Sequence, residues 1–442
     1  MDLLSGKIKK MYFKYLSAAF GSALIASIYS VVDMAMVGQY QGPEGTAALA
    51  VVAPVWNLIY SLGLLMGIGG SVIFSTIKGK NSGNGKEANE YFTTAFIGGI
   101  VLAAIVWGLI ICFDKELLTA FGAGGNLLNL AITYITPIKF ILPSFLVSQM
   151  LASFLRNDQN PNLATAGVLV GGIFNMIGDY IFVFIFDLGI FGAGLATSIG
   201  SVISCGIMVC HFFQKKNTLR FVRPTRIFLK MKEICTIGFS TFFIDVAMGI
   251  LTILFNRQIM KYLGTNALSI YGIIVNISTF VQCCAYSVGQ ASQPIISVNF
   301  GAKQGKRICE TLKYAIGTVI FFSLFWTALT MLIPNQFVKV FMTPTKEVLA
   351  IAPSMIRCYG LSFLLLPFNV FSTYYFQSLM KPRVSFVLSV GRGIAISGIL
   401  ILILPLIKPQ YLWYAMPLTE MIIAIFAIGA MIRYTKMLPQ KN

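Results

Sequence analysis

Twelve long apolar runs dominate this chain, and no other feature narrows its folds so sharply. They cover approximately residues 12–38, 46–77, 92–113, 129–155, 163–186, 190–213, 234–262, 267–299, 314–335, 350–379, 384–407 and 410–434. A helix of about 20 apolar residues crosses the hydrocarbon core of a bilayer, and each run reaches that length. Inside lipid a segment must satisfy its own backbone polar groups, which makes helices the structure for such runs. Composition agrees: 57% of the 442 residues are hydrophobic and only 11% charged, against the roughly 25% charged that coats a soluble domain. The expected fold is an all-α membrane protein with twelve transmembrane helices. Most soluble enzymes, nucleic-acid modules and secreted scaffolds are excluded. The first run far exceeds a signal-peptide core of about 7–15 residues, so it reads as a retained span.

The charges give a topology. With the amino terminus inside, 25 of the 33 Lys and Arg fall on the cytoplasmic side, among them Lys9, Arg156, seven residues in 215–232, Arg392, Lys436 and Lys441. That split satisfies the positive-inside rule. Both termini are therefore expected in the cytoplasm of a multi-pass plasma-membrane protein, and the net charge of +18 needs no nucleic acid to explain it. Lys139, Arg257 and Arg357 lie near outer ends, where long side chains snorkel. The eight cysteines sit in or beside apolar runs without metal-site spacing and read as buried thiols. His211, the only histidine, ends a run and reads as interfacial.

The halves repeat. Gly45-Thr-Ala-Ala-Leu49 corresponds to Gly264-Thr-Asn-Ala-Leu268, and Asn57 and Asn276 follow each glycine by twelve residues. Gly67, Ser75 and Gly79 match Gly289, Ser297 and Gly301 at identical spacing. Six spans return the chain to its starting side, so the second copy enters with the same orientation: a parallel pseudo-two-fold repeat. The expected organisation is a six-helix lobe over 1–218, a basic linker over 219–233 and a second six-helix lobe over 234–442. Residues 223–230 of the connector fit either an amphipathic interfacial helix or a solvated loop. Two lobes around a cleft suit alternating access, which puts transport ahead of a membrane receptor or enzyme. Lys78 to Lys86 imitates a phosphate loop, but Lys80 stands where a Walker A needs glycine and Glu87 where it needs Ser or Thr. Transport would then run on an ion gradient, with no cofactor.

An ionisable side chain at the centre of a membrane helix costs roughly 2.5–3.5 kcal/mol on the insertion scale. Asp33, Asp179 and Asp245 each need a reason to be there. At about 1.5 Å per residue, Asp33 in span one, Asp179 in span five and Thr197 in span six reach similar depth in the outer half. Asn175 lies one turn from Asp179 and Tyr29 one turn from Asp33, each pair on one helix face. The alternative is a set of carboxylates satisfied by their neighbours for stability alone. Asp245 stands apart from that group, and its second reading is a place in a substrate cavity. Asn57 and Asn276 read as helix–helix contacts, with a place in a substrate cavity as the second reading.

Val31-Val-Asp-Met-Ala-Met-Val-Gly38, Asn175-x-x-x-Asp179, Gly192-Ala-Gly-Leu-Ala-Thr197 and the segment Gly289 to Gly301 resemble the signatures of the multidrug and toxic compound extrusion (MATE) transporters. The resemblance covers essentially the whole chain. It implies a monomeric antiporter in the lipid bilayer that exports amphipathic, often cationic compounds in exchange for H+ or Na+. It also implies that Asp33, Asn175, Asp179 and Thr197 form the cation site, with Tyr29 beside it. Asp245 matches only roughly the acid that another branch keeps in span seven, and span ten offers no acid between Ile351 and Met380. A flippase for lipid-linked saccharides, in the same superfamily, would call for a strongly basic cavity.

Overall fold

The computed structural model describes residues 3–80, 85–341 and 345–439; Asn81 to Asn84 of the phosphate-loop-like stretch, and Lys441, lie outside them. Ten helices are long and apolar enough to span a membrane, and a pair bent by 62°, Asn126–Lys139 with Leu142–Asn157, makes an eleventh. The longest of the ten, Ile8–Lys80, has 73 residues and is two spans, because Gly42 at φ 68°, ψ −156° interrupts it. Only glycine adopts that conformation cheaply, and Pro43 directly after it suits the first turn of a new helix. The described residues thus contain twelve spans.

Spans one and two are 8–41 and 43–80; span three is Lys86–Ala120, and the bent pair is span four. Span five is Pro161–Ile185, six Gly189–Phe213, seven Ile227–Tyr262, eight Thr265–Gly301 and nine Gly305–Leu332. Span ten is Lys346–Ser378, eleven Pro382–Ile407 and twelve Pro409–Lys436. Spans five and eleven each contain a π-helical segment, Tyr180–Ile185 and Gly391–Ala395. In the second copy Gly264, at φ 81°, precedes span eight. Gly42 and Gly264 thus break the chain near the repeated segment of each copy, in the first copy three residues before Gly45-Thr-Ala-Ala-Leu49 begins. Along span nine Ile320, Phe321, Leu324 and Phe325 are exposed, the apolar belt that lipid demands.

Packing divides the chain into two compact units, and the division falls inside span seven. One unit is built on Ser17–Phe242, the other on Ser5–Leu16 with Phe243–Asn442. The first unit has a core of Val37, Val52, Ile59, Val106, Ile135 and Leu146. The second buries Phe371, Tyr374, Tyr375 and Phe376 of span ten. It also holds the chain's first helical turns: the buried Tyr12 donates to Thr318 at 3.0 Å, and Arg307 donates to the Gly6 carbonyl at 2.8 Å.

The connector is neither a separate amphipathic helix nor a loop free of the first unit. Residues 227–233 are already the first turns of span seven. The stretch before them is strapped to the first unit through its backbone amides. Thr218 donates to Asp158 at 2.8 Å, Arg220 to Asn89 at 3.0 Å, Val222 to Thr93 at 3.1 Å and Thr225 to Glu90 at 2.9 Å. Lys230 is buried on Glu90. His211 is fully buried, with Nε2 donating to Asp158 at 2.8 Å, so it is an internal strut rather than an interfacial residue. Burial alone would raise the Asp158 pKa. His211, the Lys78 ammonium and Thr218 outweigh it and hold the carboxyl below its usual value. Lys139 does not snorkel freely but pairs with Asp114. Of the cysteines only Cys283 and Cys284 are buried, while Cys112, Cys210 and Cys309 are exposed.

Candidate functional site

Glycine contacts build the site in the first unit. A Cβ on Gly171 would stand 2.5 Å from the Gly200 carbonyl oxygen, and one on Gly200 2.7 Å from that of Gly171, so spans five and six touch backbone to backbone. One turn along, Asn175 donates from Nδ2 to Thr197 Oγ1 at 3.0 Å. One turn further is Asp179, fully buried. On span six a Cβ at Gly194 would meet the Tyr134 carbonyl oxygen at 2.2 Å, so the first segment of span four is pressed against this helix. That contact carries the Tyr134 hydroxyl to Asp33, where it donates to Oδ2 at 2.9 Å. Tyr29 lies against Gly172, with its ring 3.2 Å from where a Cβ would be.

The five residues expected from the sequence therefore converge. Asp33 is 8% exposed and Asp179 0%, and the two carboxyls are near enough for their charges to repel. Tyr29, Asn175 and Thr197 line a cleft with Gln149, Ser201 and Ser204. Four buried oxygens have no hydrogen-bond donor: Asp33 Oδ1, Asn175 Oδ1 and both carboxylate oxygens of Asp179. Unpaired acceptors out of water cost about 1–3 kcal/mol each. A shared proton or a hard cation such as Na+, which takes oxygen ligands, relieves that cost. The residues present fit such an ion. Directly after Asp179 span five becomes π-helical over Tyr180–Ile185, a local winding frequent at functional sites.

Tyr134 is the member that sequence reasoning missed. It is an apolar-run tyrosine with no polar companion at helical spacing, and only the pressed contact at Gly194 aims it. The other expected residues do not join the cluster. Asn57 is exposed and not among the cleft's lining residues. Asn276 is exposed and donates to its own helix at the Gly272 carbonyl, 3.1 Å away.

The second unit has its own polar residues. Asp245 is not solitary: the Tyr286 hydroxyl donates to its Oδ1 at 2.8 Å, while its Oδ2 is buried without a donor. Arg392, counted with the cytoplasmic charges by its place in the sequence, is instead 7% exposed and roughly 15 Å along span eleven at about 1.5 Å per residue. Its Nε donates to Glu420 Oε1 at 2.7 Å, and Glu420 Oε2 accepts from Asn369 at 2.6 Å. The positive-inside count cannot see a partner on another span.

Twelve spans in a duplicated six-span pattern, with ionisable clusters buried at membrane depth, define a polytopic transporter architecture. Comparison with known proteins makes it specific. The MatE family profile matches residues 18–181 and 240–403, one block in each half. The multidrug export protein MepA of Staphylococcus saprophyticus is 24% identical over 416 residues, covering 92% of this chain and 89% of that protein. MepA of Staphylococcus haemolyticus is 23% identical, covering 96% and 93%. A MOP superfamily transporter from Pyrococcus furiosus superposes with a TM-score of 0.90 at 20% identity, covering 99% of this chain and 98% of that one. An outward-facing multidrug resistance MATE transporter superposes with a TM-score of 0.89, with the same coverage. The chain belongs to the MatE family and is a transporter of that family.

Proposed function

We propose that the protein exports amphipathic, often cationic compounds across the plasma membrane by alternating access, in exchange for H+ or Na+ bound at Asp33, Asn175, Asp179 and Thr197. The observation that carries this reading is the set of four donor-less oxygens on Asp33, Asn175 and Asp179, with no basic side chain lining the cleft beside them. Multidrug export comes from the MepA relatives. The positive-inside split supports cytoplasmic termini, and one chain holds both repeats, which supports a monomer. A saccharide-lipid flippase fits less well: Arg392 is the one basic residue lining the second unit's cavity, and Glu420 balances its charge.

Purified protein in liposomes tests the proposal. A lipophilic cationic dye should move against its own gradient when a pH or Na+ gradient is imposed, and stop when the driving gradient alone is collapsed. Dye that merely equilibrates under every gradient would remove the antiport reading.

A further inference from the structure

The second unit encloses a cavity lined by Phe255, Tyr271, Ser278, Gln282, Tyr359 and Arg392, among others. Its aromatic side is ordered: Phe255 and Tyr271 stack at 5.0 Å between centroids, and Tyr359 meets both edge-on at 6.1 and 6.3 Å. Its polar end is Arg392. Among the described residues the guanidinium makes one hydrogen bond, from Nε to Glu420. The four N–H groups on its two terminal nitrogens are left for the cavity it lines. None of them is bonded to Glu420, whose Oε1 accepts from Nε and whose Oε2 accepts from Asn369. A planar guanidinium fork matches a carboxylate in bidentate geometry. Span eleven is π-helical at this residue, over Gly391–Ala395, a local winding frequent at functional sites.

We infer that this cavity is a binding site for aromatic monocarboxylates, held by Arg392 at the carboxylate and by Tyr271 and Tyr359 at the ring. The inference rests on the export reading in that such compounds would be substrates, and it widens the substrate class from cations to molecules bearing a carboxylate. Charge sets the limit on the ligand. Arg392 is the one basic residue lining the cavity and Glu420 shares its charge, so the unbonded fork can hold one carboxylate, while a diphosphate, whose further charges would find no cation, is rejected.

Equilibrium binding to the full-length detergent-purified protein tests this without any transport. The probe is 2-naphthoate, compared with methyl 2-naphthoate and 2-naphthyl diphosphate, and the signal is quenching of Trp413, which packs against Tyr271. The acid should bind at least tenfold more tightly than the ester or the diphosphate. Arg392→Lys keeps the charge but loses the fork and should weaken naphthoate at least tenfold. Arg392→Gln with Glu420→Gln replaces the ion pair by a neutral one and should abolish the preference for the acid over the ester. Equal binding of acid and ester to the wild-type protein would overturn the inference even if neither variant folds, as would naphthoate binding unchanged in both variants. Dye export in liposomes, scored separately, reports on the export reading whichever way the binding falls.

Discussion

Residues at the first unit's cluster act through what they lack. Asp179 has two buried oxygens and no donor, and Asp33 has one oxygen held by Tyr134 and one free. Tyr134 is thus a positioning residue for Asp33. Tyr134→Phe keeps the ring in place and deletes the donor. A hydrogen bond to a charged group is worth about 1.5–3 kcal/mol, so export under a fixed gradient should fall about tenfold while thermal stability in detergent stays near wild type. Unchanged export would show that Asp33 needs no such support. Asp158, one residue past the end of span four, has the opposite character, since every oxygen is occupied. Its pKa is lower in the folded protein than in the unfolded chain, where it is about 3.9. Its stabilisation is therefore present above that value and lost as pH falls through the folded one. Asp158→Asn should cost about 1.5–3 kcal/mol at pH 7, and the gap to wild type in thermal unfolding should shrink below about pH 4. A gap that stays constant across that range would contradict the assignment.

Elements are placed by bare backbone contacts. A Cβ on Gly238 of span seven would lie 2.0 Å from the Leu65 carbonyl oxygen of span two, and one on Gly69 2.2 Å from that of Ile234. Gly238→Ala must force the helices apart, an overpacking penalty of about 1–3 kcal/mol. Gly249→Ala, where nothing lies within 4 Å, should be neutral or slightly stabilising by helix propensity. Thermal unfolding of both variants in detergent checks the pair, and equal midpoints would contradict the contact. Existence and order of the spans were readable from apolar run length, because the bilayer imposes that length on any crossing helix. So were the faces of Asn175, Asp179, Tyr29 and Asp33, because helical spacing is local. Helix ends were less readable: the basic connector looked free because its partners Asn89, Glu90 and Thr93 lie in another part of the chain. Arg392 was misplaced and Tyr134 overlooked for the same reason, since each takes its meaning from a contact with a distant span. The π-helical segments leave no mark in composition.

For the whole molecule, energetics constrain the exchange. One charge crossing about 100 mV is worth roughly 2.3 kcal/mol, a gradient of about 45-fold. Swapping one proton for one monovalent cation moves no net charge, so only the pH gradient would drive it. Two carboxylates leave room for a second coupling ion, which would add the membrane potential. The central claim is that Asp33 and Asp179 serve as one coupled ion site. Its most direct test is gradient-driven dye export by Asp33→Asn, Asp179→Asn, the double variant and Asp245→Asn, each reconstituted at equal amounts. Each single change in the first unit should abolish export in correctly inserted protein. The double variant should be little worse than either, since two groups that bind ions together fail together. Asp245→Asn should retain most of the activity. Export near wild type from Asp33→Asn and Asp179→Asn, with loss in Asp245→Asn, would contradict the account and move ion coupling to the second unit.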